Sequence, residues 1–337
     1  MSPPESEWFK VQTIPNAGRG VLASKRIPAG TLILNSQPAA AHVIFRQYRK
    51  EVCAFCFAYD RGRTLAVREN EVGKVFCSVE CQAQWVLDQG DVGVAAWREL
   101  QRYVMLKRKF VLDFAGLAPV GAKPGLDVIR ATWRDAEARR RAAMEGKGGK
   151  RGPKANANQS VDPDILGLFL SGLLYHAKYP DKWRDEVLCL AMDEEPYKSL
   201  TDLEAHSNAF AQLASILPAE LSTSLNDNVC QVLTQAGSHN AFGIRSGSED
   251  GEEYMGYSLY PAASYFNHSC SPNIVKKRVG REWEFSSARD IEVGEECCIT
   301  YLGGDEKDLT VDERRTRLSD VWGFKCMCTR CSTEASR

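Results

Sequence analysis

Eight of the twelve cysteines in this 337-residue sequence are candidate metal ligands: a first group of four, a second group of three, and Cys270. The first group reads CxxC and then CxxxC after twenty residues, and comprises Cys53, Cys56, Cys77 and Cys81. Four thiolates can complete a tetrahedral shell around zinc, and clustered cysteines in a reducing compartment are more often metal ligands than disulfides. The spacing therefore predicts one structural zinc ion, with four unrelated buried cysteines as the alternative.

The second group, "CMCTRC", contains Cys326, Cys328 and Cys331, which is one ligand fewer than a closed zinc site needs. Cys270 in "NHSCSPN" is the best candidate for the fourth ligand, because the two cysteines between it and the tail lie within a strand pattern. Such a site would tie the tail to the "NHSC" segment. Four other cysteines are interpreted as small buried hydrophobes. These are Cys189, Cys230, Cys297 and Cys298.

The composition is that of a globular protein. Hydrophobic residues make up 44% of the chain, and the length gives a prior of about two domains. No window holds the roughly 18 apolar residues of a membrane span, and the start "MSPPESEWFK" lacks the basic and apolar regions of a secretory signal. We therefore expect an intracellular protein of the nucleus, the cytoplasm or both, without a membrane partner.

The charge distribution is uneven although the net charge is only -1. Residues 130–154 hold nine Lys/Arg against three acids, a local +6, so the other 312 residues carry -7. The low net charge argues against direct binding of nucleic acid. The acidic remainder is an ordinary solvated surface or, alternatively, a rim that attracts Lys/Arg-rich peptides. The basic run "GKGGKRGPK" is a loop or a nuclear localisation signal.

The elements around these residues change type along the chain. The start predicts β-structure with a strand at 31–34, and apolar spacing predicts helices within 92–113 and 162–235. A Gly/Lys/Asn-rich stretch near 145–161 is predicted to be a disordered loop. After Asn240, strands are expected in "GYSLYP", "REWEFSSARDI" and "EECCITYL". Thr310 and Glu313 have capping-box spacing and predict a helix start.

Taken in order, "GRG", "NHSCSPN", "GEECCITY" and "CMCTRC" resemble the SET-domain lysine methyltransferases, most closely the SET and MYND domain (SMYD) subfamily. The resemblance implies an α+β fold, in which a β-rich SET domain is split by a small Cys-rich zinc insert and a helical insert and ends in a zinc-binding post-SET tail. The expected segments are 1–50 and 240–305 for the SET domain, 51–90 for a half-MYND zinc module, 91–239 for the helical insert, and 306–337 for the post-SET segment.

The same resemblance implies a chemistry. The family transfers a methyl group from S-adenosylmethionine (SAM) to the side-chain amine of lysine in a protein, so the expected cofactors are SAM and two structural zinc ions. The expected partner is a protein or peptide, histone or non-histone, that presents a lysine, and a monomer is expected. The alternative is a catalytically silent SET and zinc protein that acts as an interaction module.

Site residues follow from the resemblance position by position. Tyr301 matches the catalytic tyrosine, which orients the amine and contacts the transferring methyl. The expected contacts to SAM come from the "GRG" turn, from the "NHSC" segment and from aromatic residues before the tail. These residues are Gly18, Arg19, Gly20, Asn240, Ser264, Phe266, Asn267, His268, Tyr301, Trp322 and Phe324.

Three departures from the subfamily pattern stand out. The CxxC between the two ligand pairs and the terminal His/Cys pair of a complete MYND module are missing, so we expect half a module with one zinc. Trp322 stands where a tyrosine is common. The subfamily's C-terminal helical domain is not expected here, which predicts a more open substrate cleft.

Overall fold

The computed structural model describes residues 3–15, 17–107, 122–146, 162–222, 224–246 and 253–336. Most of the loop predicted near 145–161 lies outside these residues, as does the end of the helix predicted to reach residue 113. Among the described residues, no helix is both long and apolar enough to cross a bilayer.

Ten strands occur in the described ranges, all paired antiparallel in four small sheets. The pairings are β1–β2, β3–β10–β9, β4–β8–β7 and β5–β6. The strands are β1 Phe9–Ile14, β2 Gly18–Ala23, β3 Leu32–Asn35, β4 Ala41–Ile44, β5 Val67–Glu69, β6 Lys74–Phe76, β7 Ala241–Arg245, β8 Tyr254–Leu259, β9 Ile274–Val279 and β10 Glu282–Ser287.

Nine α-helices accompany these strands in the part of the chain that is described, mostly between β6 and β7. The α+β class expected from the sequence is confirmed. The helices are α1 Val79–Leu106, α2 Leu126–Gly146, α3 Pro163–Lys178, α4 Pro180–Asp185, α5 Leu200–Ile216, α6 Ala219–Ser222, α7 Asp227–Asn240, α8 Val311–Trp322 and α9 Thr329–Ala335.

The helical part and the β-rich part of the protein each have a hydrophobic core. The helical core includes Trp133, Phe169 and Phe210, contributed by α2, α3 and α5. The β-rich core includes Phe266 and Phe285, whose rings stack with centroids 4.7 Å apart. Helix α3 packs against β4, and so joins the helical core to the sheet.

Helix α1 connects the cysteine-rich hairpin to the helical core. Ser78 caps its start and accepts a hydrogen bond from the backbone N–H of Cys81 at 3.2 Å. Its regular geometry breaks at Gly90, where φ is 64° and ψ is 176°. A non-glycine residue avoids this region, so Gly90 permits the change of direction between the two halves of α1.

The local predictions had mixed outcomes. The helix predicted at Thr310 is confirmed as α8, including both hydrogen bonds of the capping box. The strand predicted in "EECCITYL" is wrong, because this segment forms only isolated bridges, from Glu296 to Leu22 and from Ile299 to His268. Its two neighbours lie on different elements, so no continuous ladder forms. Helix α2 and strand β7 were not predicted.

Candidate active site and its cysteine clusters

A cavity of about 1150 Å³ opens between the β1–β2 hairpin, the "NHSC" segment and the residues around α8. We call it the site cavity. Nine of the eleven residues expected to contact SAM line it, and Gly20 and Phe266 do not. The nine are Gly18, Arg19, Asn240, Ser264, Asn267, His268, Tyr301, Trp322 and Phe324.

The "GRG" turn shapes one wall. Gly18 begins β2 with φ of 73°, and a Cβ there would meet no heavy atom within 4 Å. A Cβ on Gly20 would lie 2.3 Å from Ile14 Cδ1 and 2.6 Å from Asn267 Nδ2. Gly20 therefore lets Asn267 approach strand β2 closely. It affects the wall through Asn267 and does not itself line the cavity.

Arg19 links this wall to the helical insert. Its guanidinium donates to the Tyr265 hydroxyl at 3.4 Å and to the carbonyl of Cys189. It also lies over the Tyr265 ring, 5.0 Å from the centroid. Arg19 thus has protein partners on two elements, and it fixes the segment after α4 beside β2.

Asn267 is held in place from both ends. Its side-chain amide donates to Glu296 Oε1 at 2.9 Å, and its backbone carbonyl accepts from the N–H of Ile299 at 2.9 Å. Both Asn267 and Glu296 line the site cavity. The Glu296 carboxylate brings negative charge to this wall, which favours a cationic ligand.

Tyr301 occupies the position where the "NHSC" and "EECCITY" segments meet. Its hydroxyl donates to the carbonyl of Phe266 at 2.9 Å, and burial raises the pKa of this phenol above its usual value. The ring centroids of Trp322 and Phe324 lie 5.3 and 6.4 Å from that of Tyr301. The Phe266 ring is fully buried in the β-rich core, so only its backbone reaches the tyrosine.

His268 bridges the tyrosine and a cysteine. The backbone N–H of Tyr301 donates to Nδ1 at 3.0 Å, so a neutral ring carries its proton on Nε2, which lies 3.2 Å from Cys270 Sγ. Burial lowers the pKa of His268 to about 4, which keeps the ring neutral at pH 7. Both ring nitrogens are engaged within the protein, so His268 can offer a ligand its ring face and backbone.

The tail cluster comprises Cys270, Cys326, Cys328 and Cys331, whose Sγ atoms all lie within 4.8 Å of one another. The Cys270 sulfur lies 3.5 Å from that of Cys331 and 3.9 Å from that of Cys326. Thiolates at 2.3 Å from a tetrahedral zinc would stand about 3.8 Å apart. All four thiols are free, so the structure assembles a donor set whose spacing fits zinc.

Three arginines surround the tail cluster. The Arg314 side chain is fully buried, donates from Nη2 to Cys331 Sγ at 3.5 Å, and also pairs with Glu334. Arg315 donates to the carbonyl of Cys326 at 3.2 Å, and Arg330 to that of Cys270 at 3.2 Å. The tail is therefore held to the "NHSC" segment by hydrogen bonds as well as by its thiols.

The insert cluster comprises Cys53, Cys56, Cys77 and Cys81, again within 4.8 Å of one another. Cys77 Sγ lies 3.5 Å from that of Cys56 and 3.4 Å from that of Cys81. Cys53 is buried, whereas Cys77 is exposed. A hydrogen bond from Cys56 lowers the pKa of Cys53, so the Cys53 sulfur is the member of this pair that more readily becomes a thiolate.

Several residues of the site cavity were not identified from the sequence. Leu190, Ala191 and Met192 contribute a wall from the helical insert, and Asn240 Nδ2 donates to the Ala191 carbonyl at 2.8 Å. These residues carry no chemical signature in the sequence. Glu296 also lines the cavity, and its place in "GEE" beside a matched motif was the available signal.

Comparison with known proteins identifies the family of this chain. Residues 18–302 match the SET domain family. The chain is 27% identical over 360 residues to the "Potential protein lysine methyltransferase SET6" of Saccharomyces cerevisiae, covering 98% of this chain and 96% of that protein.

Two further relatives carry the subfamily name. Bovine "N-lysine methyltransferase SMYD2" is 24% identical over 327 residues, covering 95% of this chain and 59% of that protein. Human "Histone-lysine N-methyltransferase SMYD3" is 44% identical over 80 residues, covering 24% of this chain and 18% of that protein. Because the family match extends over most of the chain, the chain belongs to the SET domain family.

Proposed function

We propose that this protein transfers a methyl group from SAM to the side-chain amine of a lysine in a protein substrate. The observation that carries the proposal is the placement of the Tyr301 hydroxyl against the Phe266 carbonyl, in contact with a cavity lined by nine of the expected cofactor residues. Two relatives that are named as lysine methyltransferases, one of them aligned over almost its whole length, support it.

The residues of the site cavity fit SAM. When bound, the cofactor would supply a methyl group on a cationic sulfonium. The Glu296 carboxylate and the faces of Tyr301, Trp322 and Phe324 suit a cationic and aromatic ligand. The open space at Gly18 leaves room for a ligand to approach the backbone of β2. We propose these residues, with Asn267 and Asn240, as the ones that hold the cofactor.

Tyr301 would act by position and hydrogen bonding. Its pKa is raised, so the phenol is neutral at pH 7 and is a poor base. The lysine amine must therefore lose its proton before attack, and its usual pKa of about 10.4 falls when the amine enters an apolar channel. The Tyr301 oxygen and the Phe266 carbonyl would then orient the amine and favour the positive charge that develops on its nitrogen.

Zinc at the two clusters would have a structural role. Each cluster supplies four sulfurs, which fill a tetrahedral shell and leave no position for a catalytic water. We propose one zinc in the insert cluster and one in the tail cluster. The tail zinc would hold Cys270 in register with His268, and so support Tyr301. The segment boundaries, the monomeric state and a nuclear or cytoplasmic location remain predictions.

The test compares wild type with Tyr301→Phe, using labelled SAM and a lysate from cells that lack the protein. We expect labelled protein bands with wild type and about a hundredfold less label with the variant, since the loss of one aligned donor commonly costs that much. SAM affinity, measured by calorimetry, should change less than threefold. Tyr179→Phe is the matched control, because Tyr179 is exposed and does not line the site cavity.

Two outcomes would contradict the proposal. Measurable SAM binding without label in wild type would favour a silent interaction module. Equal label from wild type and Tyr301→Phe would remove this tyrosine from the chemistry.

A further inference from the structure

A second cavity, of about 970 Å³, lies where the β5–β6 hairpin meets α1 and the start of α3. It shares no lining residue with the site cavity. Five cationic side chains and one carboxylate, that of Asp164, line it. We call it the basic cavity, defined by Arg46, Arg49, Lys50, Arg68 and Lys74.

The one carboxylate is already engaged. Asp164 Oδ1 accepts from Arg49 Nη2 at 2.7 Å and from the backbone N–H of Arg46 at 3.0 Å. Arg49 also donates to the carbonyl of Pro163 at 2.8 Å. Arg49 and Asp164 therefore offset each other, and the remaining four side chains leave an excess of positive charge in a chain whose net charge is -1.

Lys74 is the side chain of the basic cavity that most favours an anionic ligand. Its amine lies 3.8 Å from the centroid of the Trp97 ring, and among the described residues it forms no ion pair. Glu69, which is opposite Lys74 in the β5–β6 pair, accepts instead from Gln82 at 3.2 Å. Burial and the nearby charge of Arg49 lower the pKa of Lys74 to about 7. A cation in this position is poorly compensated and would gain from an anion.

We propose that the basic cavity binds the phosphate group of a phosphorylated peptide. A phosphate monoester approaches a charge of -2 at pH 7 and offers three acceptor oxygens, which matches a group of Lys and Arg side chains. The cavity is larger than one phosphate, and its apolar walls include Val104 and Met105, the latter 57% exposed. These walls suit the residues that flank a modified side chain.

Nucleic acid is the less favoured occupant. A polynucleotide presents a long row of singly charged phosphates and is bound along an extended basic face. Here the cations line one concavity, and one of them is partly desolvated.

The test uses fluorescence anisotropy with a nine-residue peptide pool that has phosphoserine at its centre and degenerate flanks, beside the same pool with serine. We expect binding of the phosphorylated pool alone. Lys74→Met, which keeps an apolar side chain on Trp97 but removes the charge, should weaken it at least tenfold. Lys74→Arg should stay within threefold of wild type. Lys10→Met is the matched control, because Lys10 is exposed on β1, away from the basic cavity.

A second variant covers the case in which Lys74→Met is unstable. Arg68 is exposed, so Arg68→Gln should keep the thermal midpoint and still weaken binding of the phosphorylated pool about threefold. In a competition experiment, free inorganic phosphate is added to displace the phosphorylated pool. Displacement of the pool only at millimolar phosphate supports recognition of the flanking residues, whereas equal affinity for free phosphate would overturn the peptide assignment.

Proton uptake gives an independent readout. The charged and titratable groups that face Lys74 are Arg49, Asp164, Glu69 and His42. A phosphate beside Lys74 would raise the pKa of its amine, so binding at pH 7.5 should take up protons. Calorimetry in buffers of different ionisation enthalpy would measure this uptake, which Lys74→Met should abolish.

Other results would also overturn the proposal. One is equal binding of both pools, or no binding of either pool. Another is unchanged affinity in Lys74→Met and Arg68→Gln. The last is tighter binding of a single-stranded oligonucleotide that the same substitutions weaken.

Discussion

The two cysteine clusters have the same ligands but different surroundings. The insert cluster uses cysteines from a 29-residue stretch, and Cys77 is exposed to solvent. The tail cluster joins Cys270 to residues 56 to 61 positions further on, and three of its four cysteines are almost fully buried. The insert cluster can therefore organise a local hairpin and helix start, whereas the tail cluster brings distant parts of the site cavity together.

Charge compensation differs in the same way. Zinc with four thiolates carries a net charge of -2, and burying that charge without a partner is costly. Solvent can stabilise the insert cluster through its exposed side. At the tail cluster the fully buried Arg314 donates to the sulfur of Cys331, and the His268 ring lies against the sulfur of Cys270. Buried thiolate clusters thus need cations and donors supplied by the protein.

The largest expected contrast comes from removing one ligand in each cluster. Cys331→Ser should release one zinc and lower methyl transfer at least a hundredfold, because a structural zinc contributes on the order of 10 kcal/mol to local folding and the tail cluster supports Tyr301. Cys77→Ser should also release one zinc but keep activity within about threefold. Zinc content by elemental analysis and transfer of labelled methyl measure both.

Equal losses of activity in the two variants would break the comparison. The same holds if Cys331→Ser retains both zinc ions, since the tail cluster would then not be a metal site.

The second contrast concerns Arg314. Arg314→Met should lower the free energy of unfolding by about 3 kcal/mol, because it leaves buried negative charge without its partner. It should also release the tail zinc to a chelator at least tenfold faster. Arg317→Met, on the exposed side of α8, is the control. It should change the free energy of unfolding by no more than about 0.5 kcal/mol and leave the rate of zinc release unchanged. Unchanged zinc release in Arg314→Met would mean that the guanidinium does not stabilise the thiolates.

The smallest expected effect is the pH dependence of stability that arises from His42, beside the insert cluster. His42 packs on Phe57, next to the insert cluster, with ring centroids 5.1 Å apart, and burial lowers its pKa to about 3. The folded state keeps His42 neutral, whereas the unfolded chain binds a proton below about pH 6.5. Its contribution to stability is thus present above pH 6.5 and is lost as pH falls towards 3.

The measurement is urea unfolding at pH 7.5 and 5.5 for wild type and His42→Gln. Wild type should lose about 1.4 kcal/mol more than the variant between these pH values. Protonation of the cysteines affects both proteins, so it cancels in the difference. Equal losses would show that His42 is not kept neutral by the fold.

Features set by neighbouring residues were predictable from the sequence. Helix α8 starts where the Thr310 capping box predicts it, because both hydrogen bonds of that box are local. The strand predicted in "EECCITYL" failed because its partners, Leu22 and His268, come from distant parts of the chain. Helix α2 was missed because charged residues dominate it and only a few positions, such as Ile129 and Trp133, enter the core.

The site shows the same division. Short motifs pointed to the thiols, to Tyr301 and to the "GRG" turn. The structure gathers the thiols into two separate clusters and places Tyr301, Gly18 and Arg19 on the wall of the site cavity. No motif indicated the hydrogen bond from Arg314 to Cys331 or the contacts of both His268 ring nitrogens. Those contacts depend on how α8 and the tail pack, which no local pattern encodes.

The link from Cys331 through Cys270 and His268 to Tyr301 has a consequence for biosynthesis. Gly18 lines the site cavity and Cys331 belongs to the tail cluster, two of whose cysteines line the same cavity, although 313 positions separate Gly18 from Cys331 (331 minus 18). At about 5 to 20 residues per second, the ribosome needs roughly 15 to 60 seconds to make that stretch. Throughout that interval the first wall exists without the thiols that complete the last one, so a nascent chain cannot possess a finished site before Cys331 has been made.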